Sequence, residues 1–341
     1  MHRTSVHARA IAVSCAWVLT ILSFPRGAQA DEACTPAIAK AGWQTITVHS
    51  GGVDRKVSLY VPASGVGRAH LPLVFDLHGS GGNGRSQALN SGFSRQADLH
   101  GFLVANPDGG IADPKNPQQS FFWNIPGVPL TGDLPTPTDA PDEVQFFRDA
   151  IGQIGTAACT DPRRVYVTGF SGGARMTSLL ACELSDRIEA IAPVSGLRAG
   201  VPDASDHSKP DIRTCAPMRP VSIITFHGVN DPQNRFAGDG TPRWGYAVSV
   251  ALDRWAQLDG CRPTPSEERV STHVTKVRYL GCRAESELIL YRTEAPVDHG
   301  GGHIWPHPGG AASSGSVSQA QVVDELDATA LIWEFFIRHH L

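Results

Sequence analysis

The sequence predicts an α/β protein: a mostly parallel, doubly wound sheet with helices on both faces, in one domain. Residues 71–77 are almost continuously apolar, as a strand buried on both faces of a parallel sheet requires. Shorter apolar runs recur at 102–105, 164–168, 188–193 and 221–226, and each runs into a glycine-bearing turn. Segments with helical spacing alternate with these runs, and in such a sheet a ligand site lies at the carboxyl ends of the strands.

Taken in order, 44–48 and 56–61 alternate as antiparallel strands around Ser50-Gly51-Gly52. The strand 71–77 ends in His78-Gly79-Ser80-Gly81-Gly82-Asn83, and 102–105 is stopped by a turn at Asn106-Pro107-Asp108-Gly109-Gly110. Residues 111–140, rich in Pro, Gly and Asp, read as a long surface excursion, and long loops inside compact domains are usually functional. Val144, Phe147, Ile151 and Ile154 have helical spacing behind an acidic first turn, which predicts a helix over 142–154. Further helices are expected over 174–184, 246–258 and 322–339, and late strands over 276–280 and 287–292.

The first thirty residues read as an export signal: Arg3 and Arg9, an apolar run from 10 to 24 too short to span a bilayer, then Ala28-Gln29-Ala30. The expected division is therefore a signal, 1–30, and a catalytic domain, 31–341, secreted and free of the membrane. Three of the 29 basic residues and none of the 33 acidic ones lie in the signal, which leaves a formal charge of −7 and argues against a nucleic-acid partner. With Cys15 removed, six cysteines remain, an even number suited to three disulfides in an exported chain. No two of them have the spacing of a zinc knuckle.

Gly169-Phe170-Ser171-Gly172-Gly173 lies between a predicted strand and a predicted helix. This is the pattern of a sharp, strained turn that lifts a nucleophilic serine clear of a sheet. A serine hydroxyl at neutral pH needs a base, a group to orient the base, and oxyanion donors. Asp231, just after the strand 221–226, is the candidate orienting acid, against a simple turn aspartate before Pro232. His299, His303 and His307 compete for the base in a Gly-rich loop, and the cluster also admits a metal-site reading. His303 is preferred because Gly300-Gly301-Gly302 precedes it and a stiff Ile304-Trp305-Pro306 follows. The oxyanion donors are expected to be the N–H groups of Gly172 and Ser80, with Gly81 as the alternative to Ser80. Gly81, Trp123 and Trp305 are candidate substrate-binding residues, and Phe121-Phe122 with Trp123 could stack an aromatic acyl group.

These motifs resemble the feruloyl esterase and polyhydroxybutyrate depolymerase group of secreted α/β-hydrolases. The resemblance rests on His78-Gly79-Ser80-Gly81-Gly82-Asn83, Pro107-Asp108-Gly109, Asp161-Pro162-Arg163-Arg164-Val165-Tyr166-Val167 leading to Ser171, His227-Gly228-x-x-Asp231, and Gly301-Gly302-His303-x-Trp305-Pro306. It implies the α/β-hydrolase fold and a cofactor-free serine esterase acting on ester-decorated plant polysaccharide such as xylan, with a polyester depolymerase as the alternative. An acetylxylan esterase, an acyltransferase or a non-catalytic binding protein is a more distant reading. The resemblance also implies His303 as the base and supports a Cys261–Cys282 bridge across about twenty residues. Cys182 with Cys215 would tie the helix behind Ser171 to the strand before Asp231, and Cys34 with Cys159 would then pin the amino terminus.

Overall fold

The parallel strands are held as the apolar runs demand. In the computed structural model, which describes residues 1–2, 34–38, 40–297, 302–308 and 325–341, Cys34–Leu341 is a compact unit distinct from Met1–Ala33. It opens with β1 (Gly42–Ser50) and β2 (Val53–Val61), an antiparallel hairpin, followed by β3 (Leu71–Leu77), buried at every residue. Next come α1 (Gly84–Ser91), α2 (Phe93–His100), β4 (Leu103–Pro107), the short pair β5 (Ile111–Ala112) and β6 (Phe121–Phe122), and α3 (Glu143–Ala158). β7 (Thr160–Phe170), α4 (Gly172–Glu183), β8 (Ala190–Val194), the small pair β9 (Pro202–Asp203) and β10 (Asp206–Pro210), β11 (Ser222–Gly228) and α5 (Val248–Asp259) follow. β12 (Ser266–Arg269), β13 (Val274–Tyr279), β14 (Leu288–Thr293) and a closing helix, Ala328–Phe336, complete the described elements.

The ten-stranded sheet has the order β1-β2-β4-β3-β7-β8-β11-β14-β13-β12. Its six central strands run parallel and both ends are antiparallel. The side-chain period of two divides the core. Leu73, Phe75, Leu77, Val165 and Val167 pack with α3, α4 and α5 on one face, whereas Val74 and Tyr166 pack with α2 and the closing helix on the other. This is the fold of the α/β-hydrolases.

Several sequence expectations are revised. Asn106 and Pro107 do not turn but finish β4, because the buried Asn106 amide donates 3.0 Å bonds to the Asp76 carbonyl and carboxylate and so belongs to the sheet. Residues 84–100 form two helices where no periodicity announced one. α1 is almost wholly polar and is started by its cap, with Asn83 Oδ1 accepting from Ser86 N at 2.8 Å and Ser86 Oγ accepting from Asn83 N at 3.0 Å. The edge strand β12 is exposed throughout and carries no apolar alternation. The excursion 111–140 is no free loop either. β5 and β6 pair within it, and Ile111, Phe122 and Leu130 form a small core of their own. The last segment, expected to begin near 322, is helical over Ala328–Phe336; residues 309–324 lie outside those described.

Three disulfides are present: Cys34–Cys159, Cys182–Cys215 and Cys261–Cys282. Among the described residues no helix is long and apolar enough to cross a membrane.

Candidate active site

β7 passes into α4 through Ser171, whose φ of 55° and ψ of −112° lie outside the ordinary regions for a residue with a side chain. Its two flanking glycines are required by crowding. A Cβ on Gly169 would stand 2.7 Å from the Gly173 backbone and 2.9 Å from Leu77 Cβ, and one on Gly173 would run into the Leu77 and His78 carbonyls. The strain is held by the sheet: Ser171 N donates to Val194 O at 2.9 Å, and α4 begins from Ser171 O, which accepts from Arg175 N.

Asp231 follows β11 and is buried. Its Oδ1 accepts from Gln233 N and Asn234 N, each at 2.8 Å, and its Oδ2 lies 2.7 Å from His303 Nδ1 and 3.5 Å from His227 Nε2. Burial pushes the Asp231 carboxyl up, but the hydrogen bonds from His227 and His303 outweigh it and hold the group well below the usual carboxylate range. The anion is therefore kept beside the ring it orients. His303 in turn packs on Phe170, the residue before Ser171, with ring centroids 4.8 Å apart. Among the described residues no hydrogen bond joins Ser171 Oγ to His303; such bonds often tighten only with substrate in place.

The loop after β3 lies against this turn. A Cβ on Gly79 would stand 3.4 Å from Ser171 Cβ, and one on Gly172 would sit 3.0 Å from Ser80 N and collide with Ser80 Oγ, so the two expected oxyanion donors are neighbours. The Gly81 N–H is spent on Phe121 O at 2.9 Å, which leaves Ser80 as the better donor. The loop is fixed by His78, whose Nδ1 donates to Gly79 O at 2.7 Å and whose Nε2 accepts from Gly109 N at 2.9 Å. Burial lowers this imidazole to about 4, so it stays neutral and structural.

The other expected residues fall in different places. Trp123 is buried, donates Nε1 to His78 O at 2.8 Å and packs tilted on the His78 ring, and it is one of the residues lining the cleft beside Ser80 and Gly172. Trp305 is buried too, its Nε1 donating to Thr329 Oγ1 at 2.9 Å and its ring against Phe93, so it anchors the segment carrying His303. Gly81 is exposed at φ 78°, and a Cβ there would meet Ser120 Oγ at 3.7 Å. His307 donates through Nε2 to Asn90 O at 2.7 Å, away from Asp231, and His299 lies outside the described residues. Among the described residues no three His, Cys, Asp or Glu side chains are grouped to hold a metal ion.

Sequence reasoning missed two sets of residues. Asn234 is buried and joins the Asp231 turn to its surroundings: Nδ2 donates to Ser195 O at 2.7 Å and Oδ1 accepts from Arg198 at 2.9 Å. Arg175, Arg198 and Arg243 surround Trp244 beside the turn. No local signal marks the arginines: α4 also carries Thr177, Ser178 and Glu183, so Arg175 looks like an ordinary surface charge.

No protein-family model matches the chain. It is similar to feruloyl esterase B of Piromyces equi, 29% identical over 257 residues, covering 73% of this chain and 42% of that protein. It is also similar to poly(3-hydroxyalkanoate) depolymerase C of Paucimonas lemoignei, 31% identical over 128 residues, covering 38% of this chain and 28% of that protein. The chain thus spans less than half the length of either relative. Among solved structures it resembles an acetyl xylan esterase from Aspergillus awamori with a TM-score of 0.54 and 16% identity, over 77% of this chain and 94% of that one, a likeness of fold alone.

Proposed function

We propose that this chain, a relative of the feruloyl esterases and poly(3-hydroxyalkanoate) depolymerases with the α/β-hydrolase fold, hydrolyses carboxylic esters through an acyl-enzyme. Ser171 is the nucleophile, His303 the general base and Asp231 the acid that orients it. The observation that carries the reading is the 2.7 Å His303–Asp231 bond packed against the strained turn that bears Ser171.

In the first half-reaction His303 takes the Ser171 proton as Oγ attacks the ester carbonyl, and the Gly172 and Ser80 N–H groups bind the oxyanion at the amino end of α4. His303 returns the proton to the departing alcohol. Water then attacks the acyl-enzyme by the same steps and releases the acid. Asp231 keeps the imidazole in the tautomer with Nδ1–H, which leaves Nε2 to accept.

The substrate class that fits is an ester on plant cell-wall polysaccharide, with a short polyester as the second reading, favoured by the depolymerase relative. Under the same reading residues 1–30 direct export and 31–341 form the catalytic domain, secreted; the three disulfides support an oxidising destination. Rates on methyl ferulate, acetylated xylan, 3-hydroxybutyrate oligomers and nitrophenyl butyrate test it. Hydrolysis of none of the four by protein whose Ser171 a fluorophosphonate still labels would reject the ester class and keep the nucleophile; absence of labelling would reject the nucleophile.

A further inference from the structure

Three arginines from separate parts of the chain meet on the wall beside Ser171. Arg175 lies one turn into α4, Arg198 follows the Ser195-Gly196 turn after β8, and Arg243 precedes α5. Their guanidinium carbons lie 4.1, 5.4 and 5.5 Å from the Trp244 ring centroid, and Arg175 and Arg198 are only 6% and 4% exposed.

Their hydrogen bonds go to neutral acceptors. Arg175 donates to Arg243 O at 2.8 Å, Arg198 to Leu197 O at 2.7 Å and Asn234 Oδ1 at 2.9 Å, and Arg243 to Pro129 O at 2.8 Å and Ser80 Oγ at 3.1 Å. Carbonyl, amide and hydroxyl oxygens satisfy single N–H groups without balancing a charge. The Nε–H of each arginine is buried without a partner, and among the described residues none of the three forms an ion pair. The carboxylate whose charge favours all three, Asp239, is exposed and accepts from Thr241 and Gly245.

Burial, and then the charges of Arg243 and Arg198, push the Arg175 guanidinium well below its ordinary value, and burial lowers Arg243 to about 10. Like charges brought together out of water are costly, and a planar anion with room for paired N–H donors relieves that cost. The adjoining cleft is narrow and lies beside the two expected oxyanion donors. Arg175 and Arg243 line it together with Ser80 and Gly172, and its remaining walls, Phe122 and Val128 among them, are apolar.

We propose that this arginine cleft binds a carboxylate of the substrate, so that the preferred esters carry a carboxylate group a few bonds from the reacting carbonyl. The inference rests on the ester-hydrolase reading above and narrows its substrate class. The carboxylate has two sources, the far end of the acyl group or the alcohol, as in an acylated hydroxy acid.

Two substrate pairs separate the sources: ethyl hydrogen adipate against ethyl hexanoate, and 3-butyryloxybutanoate against its methyl ester, at constant ionic strength. A kcat/KM at least tenfold higher for the charged member of either pair is expected, with that preference falling towards one in Arg175→Met. Arg243→Met, at a less buried position, serves as the second variant should the first fail to fold. A ratio near one in both pairs for the unaltered protein overturns the inference, as does a preference that survives both substitutions. Calorimetric binding of adipate to Ser171→Ala protein reads the cleft apart from turnover. Adipate bound there and lost with Arg175→Met supports the anion site even if no ester is cleaved, which would then reject only the hydrolase reading; no binding overturns the site.

Discussion

The two sides of Ser171 are built on opposite principles. On one side Asp231 is satisfied within the chain, with two backbone N–H groups on Oδ1 and the His303 and His227 rings at Oδ2. On the other side Arg175, Arg198 and Arg243 bring together positive charges that no described carboxylate pairs with, and each keeps a buried Nε–H without a partner. The first side is complete before any ligand arrives. The second carries charge that an anion from outside would balance, so under the proposed function the first sets whether a reaction occurs and, with the proposed anion site, the second sets on what.

Substitutions on the first side should therefore act on all esters alike. Ser171→Ala and His303→Ala should each lower kcat by roughly 10⁵ to 10⁶, the scale of losing a nucleophile or its base. His307→Ala, whose ring ties Asn90 rather than Asp231, should retain most of the rate. A dead His307→Ala with an active His303→Ala, in a steady-state assay on nitrophenyl butyrate, would move the base to the wrong side of this comparison.

Asp231→Asn keeps the shape of the turn but allows the His303 ring to settle in the wrong tautomer, so kcat should fall about 10⁴-fold with little change in KM. The expectation is the same for charged and neutral esters. A loss confined to charged esters would mean that the carboxylate acts on the substrate rather than through His303.

Gly172→Ala probes the seam between the two sides. Its Cβ would collide with Ser80 Oγ and stand 3.0 Å from Ser80 N, so the two oxyanion donors must separate. The expected fall in kcat is about 10²- to 10³-fold, the usual cost of losing one oxyanion donor. Stopped assays with matched substrates decide it: a change within threefold would show that Ser80 N–H does not serve the oxyanion.

How much of this was legible in the sequence follows the same divide. Ser171, Asp231 and His303 each sit at a strand end or in a local motif, and a turn's chemistry is written in the few residues that form it. The order of nucleophile, acid and base then carries the long-range part. Trp123 shows the opposite case, since an aromatic residue in a Pro-rich loop looks available for stacking. Only the packing of β6 against the loop after β3 reveals that its indole is bound to His78 O. The arginines were illegible for a stronger reason: positions 175, 198 and 243 look like ordinary surface charges, and their convergence depends on α4, the end of β8 and the segment before α5 meeting in space. α1 escaped because a capped polar helix has no apolar period, and β12 because an exposed edge strand has no buried face.

The smallest expected effect on catalysis comes from the disulfide behind the arginine side. Cys182 lies on α4, seven residues after Arg175, and is joined to Cys215, so the bridge holds the helix against the segment that contributes Thr214 to the adjoining cleft wall. The loop it closes spans 33 residues. On the chain-entropy account, opening a loop of that length removes about 3 to 4 kcal/mol of stability, which for a domain of this size corresponds to a fall in Tm of roughly 5 to 10 °C. Ser171 should notice little, because β7 and the Ser171 N–H bond to Val194 O hold the turn independently of the far end of α4. The Cys182→Ala, Cys215→Ala double variant should accordingly keep neutral-ester turnover within a few-fold while its preference for charged esters declines. Differential scanning calorimetry and the paired substrates give the two readouts. Equal losses for neutral and charged esters would mean that the bridge supports the whole turn, and the two sides of Ser171 would then be mechanically one.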